Sequence, residues 1–323
     1  MQRACLGQSE GLTLWLAQPD DYEDVISMSA GMHDGSDYLP HRYHSWMTEP
    51  DRVVVLARRE CRLVALVSYL LVDEGATVVV QGLRVCPTDR GHGVAGVIQR
   101  FTDRYIQQLH PGVKMKRLVR GQDPGPEKLV KFKILGRRGV LSLALEAESI
   151  GSFISHLRNK LQSPVIPGLI PLNEAQVKRV FLDPKLPCRV QLPGISFIQD
   201  WVPLQRMEGN LEILKRQKIT WLVDSLAAPS FLSLYTPPYP IPYNGGSLCL
   251  NIDMLGADHV LAQCALVNLL EAAWAKGELR GTVRIYVYMS KALRETLLSF
   301  CEGHQGVRTC RDLVQQLFLE RQL

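Results

Sequence analysis

The sequence has no C-x-x-C pair, although it carries eight cysteines in 323 residues. Cys5, Cys61, Cys86, Cys188, Cys249, Cys264, Cys301 and Cys310 are scattered, several of them inside apolar segments. That usage fits reduced, buried thiols and excludes a disulfide framework. Long hydrophobic runs are missing too. The longest, Leu63 to Val72, is interrupted by Ser68 and is too short to span a bilayer. The opening residues MQRACLGQSEG hold no apolar core of signal-peptide length. A cytoplasmic protein with no membrane partner is expected. A surplus of charge of one sign is absent as well: 37 Lys and Arg stand against 32 Asp and Glu, a net +5. So weak a balance gives no case for a nucleic-acid partner. The densest basic run, Lys114-Met115-Lys116-Arg117-Leu118-Val119-Arg120, alternates with apolar residues. Period two predicts a strand with a solvated basic face, and a patch for an anionic ligand is the sharper alternative.

What is present is an ordinary globular composition, 46% hydrophobic and 21% charged, long enough for two domains. Leu12 to Leu16 reads as a strand, and Pro19-Asp20-Asp21 opens a helix. His41 to Met47 reads as a short second helix. Val53 to Ala57, Leu63 to Val72 and Ala76 to Val85 follow as strands, the last two joined by the turn Asp73-Glu74-Gly75. A helix from His92 to Leu109 buries Val94, Val97, Ile98, Phe101 and Tyr105 at helical spacing. A strand over Val113 to Val119, a helix over Pro126 to Leu135 and a strand over Val140 to Leu145 complete this half. Prolines punctuate residues 151–190, which are assigned as a linker between a domain 1–150 and a domain 191–323. Ile195 to Trp201 begins the second half as a strand, and its order of elements resembles that of the first. The expected class is α/β, a mixed twisted sheet with flanking helices in two tandem domains.

Between strand and helix lies Arg90-Gly91-His92-Gly93-Val94-Ala95. Glycines at a helix start each cost about 1 kcal/mol against alanine in a helix interior, so this turn should need them. Free N–H groups and the helix dipole make such an end an anion site, and glycine lets a ligand approach the backbone. No Gly-Lys-Ser/Thr follows, which excludes a Walker loop. The glycines come after the fourth strand of a mixed set, which suits a dehydrogenase turn poorly.

R-x-x-G-x-A in this setting resembles the pyrophosphate-binding motif of the Gcn5-related N-acetyltransferases. Asp37-Tyr38-Leu39-Pro40-x-Arg42-Tyr43-His44-Ser45-Trp46, Gln81-Gly82-Leu83-Arg84-Val85, Gly93-Val94-Ala95-Gly96 and His110-Pro111-Gly112-Val113-Lys114 resemble the histidine N-acetyltransferase branch. So do Ile198-Gln199-Asp200-Trp201 and Leu250-Asn251-Ile252-Asp253. The resemblance implies acetyl transfer from acetyl-CoA, without a metal, to the α-amino group of a free amino acid, L-histidine first. It also implies a second, degenerate acetyltransferase-like domain, and Asn251 to Ala257 indeed lacks the arginine and paired glycines. A binding protein without turnover and an acetyltransferase for protein or peptide amines stay open as alternatives.

Such chemistry needs a proton acceptor for the ammonium and donors for an oxyanion. Gly82 within its strand suggests a bulge. The resemblance then has Leu83, Arg84 and Val85 pairing with the pantetheine arm, with Val85 N–H as oxyanion donor. Arg90, Gly91, His92, Gly93, Val94 and Ala95 would hold the pyrophosphate. Gln81 stands where many relatives place a glutamate base, and Phe132 where many place a tyrosine acid on the coenzyme side. Asp37, Tyr38, Arg42 and Tyr43 are the acceptor-pocket candidates, Arg42 for a carboxylate, and His44 or Asp37 for a proton relay. His41 and His44 at i, i+3 lack an evident third metal ligand.

Overall fold

A computed structural model describes residues 5–29, 31–32, 36–161, 168–192, 196–310 and 313–323. Backbone contacts divide the chain into two compact units. The first comprises Met1–Leu118, Ile241–Asn244 and Glu320–Leu323, and the second Val119–Pro240 and Gly245–Leu319.

The first unit starts with β1 (Cys5–Ser9), β2 (Leu12–Leu16), α1 (Tyr22–Ser29) and α2 (Leu39–Trp46). It continues with β3 (Arg52–Arg59), β4 (Arg62–Val72), β5 (Thr77–Val85), α3 (Val94–Leu109) and β6 (Met115–Arg120), which passes into the second unit at Val119. β1 to β5 are antiparallel neighbours in chain order, and β5 pairs with β6 in parallel. Alternation along the strands explains the layering. On β3, Val55 and Ala57 join Val94, Val97, Ile98 and Ile106 of α3 in one core. Val54 and Leu56 point the other way, against Val25, Leu39, Tyr43 and Trp46 of α1 and α2. The sheet is therefore covered on both faces. Phe101, expected in the helix core, is only partly buried, and Thr102 and Ile106 occupy the buried stripe. The reverse turn expected between β4 and β5 is present, with Asp73, Glu74 and Gly75 all left-handed.

The second unit contains α4 (Pro126–Leu129), β7 (Lys133–Glu146), α5 (Ile150–Lys160), β8 (Ile170–Pro171), α6 (Glu174–Leu182) and α7 (Leu186–Arg189). Then come β9 (Ser196–Gln199), β10 (Val202–Gln205), α8 (Glu208–Arg216), β11 (Thr220–Val223), β12 (Leu232–Tyr235) and β13 (Tyr239–Ile241), whose last residue falls in the first unit. β14 (Ser247–Leu255), α9 (His259–Ala275), β15 (Thr282–Met289), α10 (Lys291–Cys301), β16 (Val307–Cys310) and β17 (Gln315–Gln322) finish the chain, the end of β17 from Glu320 falling in the first unit. β14 and β15 are parallel, while β7–β15, β12–β14 and β11–β12 are antiparallel. Buried residues of α5, α9 and α10 cover one face of β7, β14 and β15. Among the described residues no helix is long and apolar enough to cross a membrane.

Several expectations need correction. Residues 151–190 do not form a plain linker where they are described, since Phe153, Leu157, Val180 and Phe181 are buried helix positions. Prolines misled here because Pro187 sits in the first turn of α7, where its missing N–H is harmless; Pro164 and Pro167 lie outside the described residues, as does Ile195. The compact units also divide at 118 and 119, not 150, so the long strand β7 belongs to the second unit. The helix expected over Pro126 to Leu135 is the single turn α4. Nor is the basic run a solvated face. Lys116 is fully buried against Asp103 Oδ1 at 2.6 Å and the Tyr69 hydroxyl at 2.7 Å. Arg117 is buried between Asp73 at 2.7 Å and Glu320 at 2.8 Å. Period two places consecutive residues on opposite faces, and here both faces supply carboxylates, Asp103 partly buried on one and Asp73 and Glu320 buried on the other.

Candidate active site

Two backbone features meet at the end of β5. The first is a bulge. Gln81 pairs with Ser68 and Arg84 with Leu66, so Gly82 and Leu83 together oppose Val67. Gly82 has φ +60°, and a Cβ there would lie 2.7 Å from Trp46 Cη2 and 3.0 Å from Arg84 Nη1. Only glycine fits that conformation under that ring. The second feature is a parting of strands. The β5–β6 register ends at Val80 opposite Leu118, leaving Gln81 to Val85 beyond it. Cys86 N–H donates to Val64 O at 2.8 Å. Amide direction alternates along an antiparallel pair, so Arg84 N–H also faces β4. The N–H groups of Leu83 and Val85 then face away from β4, on the side where β6 has left. Amides so directed can pair with an extended amide ligand or donate to an oxyanion.

The turn follows directly. Pro87–Asp89 makes a single 3-10 turn, and the chain reaches Gly93, the N-cap of α3, at φ +76°. Arg90, Gly91, His92 and Gly93 are exposed, and added Cβ atoms at Gly91 and Gly93 would meet nothing within 4 Å. No side chain caps α3. The first N–H groups of a helix have no intrahelical partner, so those of Val94 and Ala95 carry the positive end of the helix dipole. Arg90 Nε donates to Val85 O at 3.3 Å, which ties the turn to the strand end. The start of the turn is fixed by buried Asp89, which accepts from Arg59 Nη1 at 2.5 Å, Arg62 Nη2 at 3.1 Å and Thr88 Oγ1 at 2.9 Å.

Those bonds, Arg62 foremost, hold the Asp89 carboxyl below its ordinary range. A folded-state depression stabilises the fold above the unfolded carboxylate pKa and stops doing so as pH falls through the folded value. Asp89→Asn should therefore lower the urea midpoint at pH 6 to 7. The gap from wild type should close progressively below about pH 4. A gap independent of pH would show that the pairing carries none of the acid sensitivity.

On the face covered by α1 and α2, the structure assembles a polar cluster beside the bulge. Arg52 donates through Nη1 to Ser68 Oγ and to Gln81 Oε1, both at 2.8 Å, and through Nε to Glu49 at 2.6 Å. Its guanidinium lies 4.6 Å over the Trp46 ring. An arginine can only donate, so the Gln81 oxygen faces Arg52 and its NH2 group is directed elsewhere. Gln81 thus enters the site as a donor and has no basic lone pair to offer. Arg52 escaped the sequence reading because its partners lie 16 and 29 residues away. Nothing local marks an arginine at a strand start as part of a site.

The remaining candidates separate into two groups. Arg84 and Asp37 are buried and paired with each other; Arg84 Nη1 also donates to Gly82 O at 2.9 Å and Asp37 accepts from Leu39 N–H at 3.0 Å. The Arg84 side chain is therefore committed inside the protein and its N–H faces β4, so neither is turned to a coenzyme as the sequence led us to expect, and Asp37 is closed as a proton relay. Tyr43 is fully buried and donates to Gln18 O at 2.7 Å, which makes it core. Tyr38 is half-buried, with the Arg84 guanidinium 5.1 Å from its ring centre. Arg42 is half-buried on α2, while His44 is exposed and stacks on Tyr22 with ring centres 4.7 Å apart. Phe132 belongs to the second unit, half-buried just after α4. Among the described residues no group of three or more His, Cys, Asp or Glu converges as a metal site.

The chain matches known proteins along nearly its whole length. Residues 165–290 match the family described as "Histidine N-acetyltransferase, C-terminal". The human protein "Probable N-acetyltransferase 16" is 37% identical over 320 residues, which is 97% of this chain and 86% of that protein. The histidine N-acetyltransferase of Xenopus tropicalis is 36% identical over 307 residues, 94% of each chain. The chain belongs to the histidine N-acetyltransferase family. Its fold is the Gcn5-related N-acetyltransferase fold. A tandem protein of that fold from the clavulanic acid biosynthesis pathway aligns with TM-score 0.57 at 13% identity, covering 96% of this chain and 98% of the other.

In this acyltransferase the start of α3 has no side-chain cap, whereas the comparable junction of the second unit is closed. There β14 leads to α9, but the N-cap is Asp258, whose Oδ1 accepts from the N–H groups of Val260 and Leu261 at 2.8 and 2.9 Å. A carboxylate of the chain occupies the helix end that Gly93 leaves open on α3. The two second-half motifs that carry the family resemblance also prove to be one structural knot. Arg138 donates to Asp253 Oδ1 at 2.7 Å, to Ile198 O at 3.3 Å and to Asp200 O at 2.8 Å, and Asp253 Oδ2 accepts from Asp200 N–H at 2.8 Å.

Proposed function

We propose that the protein transfers the acetyl group of acetyl-CoA to the α-amino group of free L-histidine. The observation that carries the reading is the open, glycine-capped start of α3 joined to a strand end whose Leu83 and Val85 N–H groups face the gap left by β6. The pyrophosphate lies on the turn from Arg90 to Ala95, and the pantetheine arm pairs with Leu83 and Val85. The neutral amine attacks the thioester carbonyl, forming the N–C bond, while Val85 N–H donates to the developing oxyanion. Collapse breaks the C–S bond, the attacking nitrogen gives up its second proton, and the departing coenzyme thiolate takes up one proton, leaving amide and thiol. Gln81 cannot accept the ammonium proton, so that proton leaves to solvent; general acid–base help worth about 10² to 10⁴-fold is forgone. Arg42 receives the acceptor carboxylate in this reading, and Tyr38 flanks the acceptor. The identity of the acceptor rests on the relatives, the fish and frog proteins bearing that name at 32–36% identity. A cytoplasmic setting accords with eight free thiols.

The test is calorimetric titration of the purified protein with acetyl-CoA, followed in the same cell by thiol release on adding L-histidine. Binding with release is the expected result. Binding with release only for a different amine would replace histidine as the acceptor, and binding without release for any amine would leave a coenzyme-binding protein. Failure to bind acetyl-CoA would overturn the assignment of the turn.

A further inference from the structure

A short segment of the second half of the sequence belongs to the first unit. Ile241–Asn244 clusters there, although the residues on either side of it belong to the second unit. The sequence around it is built to present a side chain rigidly. Pro237, Pro238, Pro240 and Pro242 restrict the backbone leading to Tyr243. Asn244, Gly245 and Gly246 then turn sharply in succession, with φ of 54°, 84° and 85°. Ile241 is 1% exposed and anchors the segment.

Tyr243 itself is half-buried, yet its hydroxyl oxygen is buried and has no hydrogen-bond partner. Buried hydroxyls are almost always paired. The segment belongs to the unit that holds the bulge, and Asp37, Tyr22 and Arg84 lie near enough to act on the phenol electrostatically; Arg84 in turn bonds Gly82 O in the bulge. Two of those neighbours are already engaged: Arg84 with Asp37 and Gly82 O, and Asp37 with Arg84 and Leu39 N–H. Burial, and then the Asp37 charge, raise the phenol above its ordinary range, so it stays protonated and acts as a donor.

The character of the partner follows. The paired Arg84 and Asp37 leave no net positive charge to hold an anion there, and a cation cannot accept a hydrogen bond. A neutral acceptor atom on an apolar or aromatic frame fits, and in the proposed substrate that atom is an imidazole nitrogen. We propose that Tyr243 reads the acceptor's side chain by donating its hydroxyl to the neutral imidazole ring, making it the specificity-determining residue of the site. This rests on the histidine reading above. A site that holds an otherwise unpaired buried donor rejects analogues that lack the matching acceptor.

The experiment compares kcat/KM for L-histidine and L-phenylalanine in wild type and Tyr243→Phe, with acetyl-CoA affinity and the circular dichroism spectrum as controls. Phenylalanine keeps the ring, so the segment retains its packing. The expected result is a fall of about tenfold in kcat/KM for L-histidine, carried mainly by KM, as for one lost hydrogen bond. Activity on L-phenylalanine should hold or rise, so the preference narrows, and acetyl-CoA affinity should not change. An unchanged preference with wild-type turnover of L-histidine overturns this assignment alone. An equal loss of kcat on both substrates overturns it in favour of proton delivery to the departing thiolate. Wild-type protein that acetylates no free amino acid overturns the function, and this assignment with it.

Discussion

Gly93→Trp should abolish measurable acetyl-CoA binding while the protein stays folded. The residue is exposed, and a Cβ there meets nothing within 4 Å, so the new side chain has room in the protein. Its folded-state cost is the left-handed backbone at φ +76°, about 1 to 2 kcal/mol for any L-residue. For a domain of this size that lowers Tm by roughly 2 to 4 °C per kcal/mol. The effect on the ligand is of another order. An indole on the N-cap occupies the space through which the Val94 and Ala95 N–H groups reach a pyrophosphate. Each hydrogen bond to a charged group is worth about 1.5 to 3 kcal/mol, so losing two weakens binding by more than 100-fold. Gly93→Ala separates the causes. It carries the same backbone strain and little bulk, and should bind acetyl-CoA far better than the tryptophan variant. Equal loss in both would trace the effect to backbone conformation instead of to the blocked helix end. Undiminished binding in Gly93→Trp, with an intact circular dichroism spectrum, would overturn the turn as the coenzyme site.

The open turn was legible in the sequence because its information is local: six consecutive residues mark a glycine-rich helix start, although the helix begins at Val94 and not at His92, and the bond from Arg90 to Val85 O was not foreseen. The bulge was legible from a single residue, Gly82, since an isolated glycine in a strand has few other reasons to be there. The acceptor side was not. Asp37 and Arg84 are 47 residues apart, and nothing in either neighbourhood announces a buried pair. Tyr43 reads equally well as pocket or core, and only its bond to Gln18 O decides. Lys116 and Arg117 obey the strand period and still deceive, because a charged side chain can be buried wherever distant carboxylates meet it. Tyr243 shows the limit most plainly. Assigning it to the first half's fold requires knowing that the chain returns there for four residues.

The bulge supplies the other large effect. Gly82→Ala combines two penalties at one atom. The left-handed φ of +60° costs about 1 to 2 kcal/mol. The added methyl lands 2.7 Å and 2.9 Å from Trp46 ring atoms and 3.0 Å from Arg84 Nη1. Trp46 is itself 4% exposed and held under Arg52, so it cannot swing away freely. Overpacking of this kind costs about 1 to 3 kcal/mol, and the total is a large part of a typical stability of about 5 to 15 kcal/mol. Chemical or thermal denaturation should register it as a marked loss. If the strand escapes by straightening the bulge, the register of Leu83 and Val85 slips and their N–H groups turn toward β4. Acetyl transfer then fails even in molecules that remain folded. Trp46→Leu in the same chain tests the steric half. It removes the ring that the methyl strikes, so the double variant should be more stable than the sum of the single losses predicts, by about 1 kcal/mol or more. It cannot relieve the backbone strain or restore the register, so turnover should stay low while stability partly returns. Additive losses would show that Trp46 is not what restricts position 82 to glycine, and a Gly82→Ala protein with wild-type stability and turnover would mean that β5 carries no such bulge.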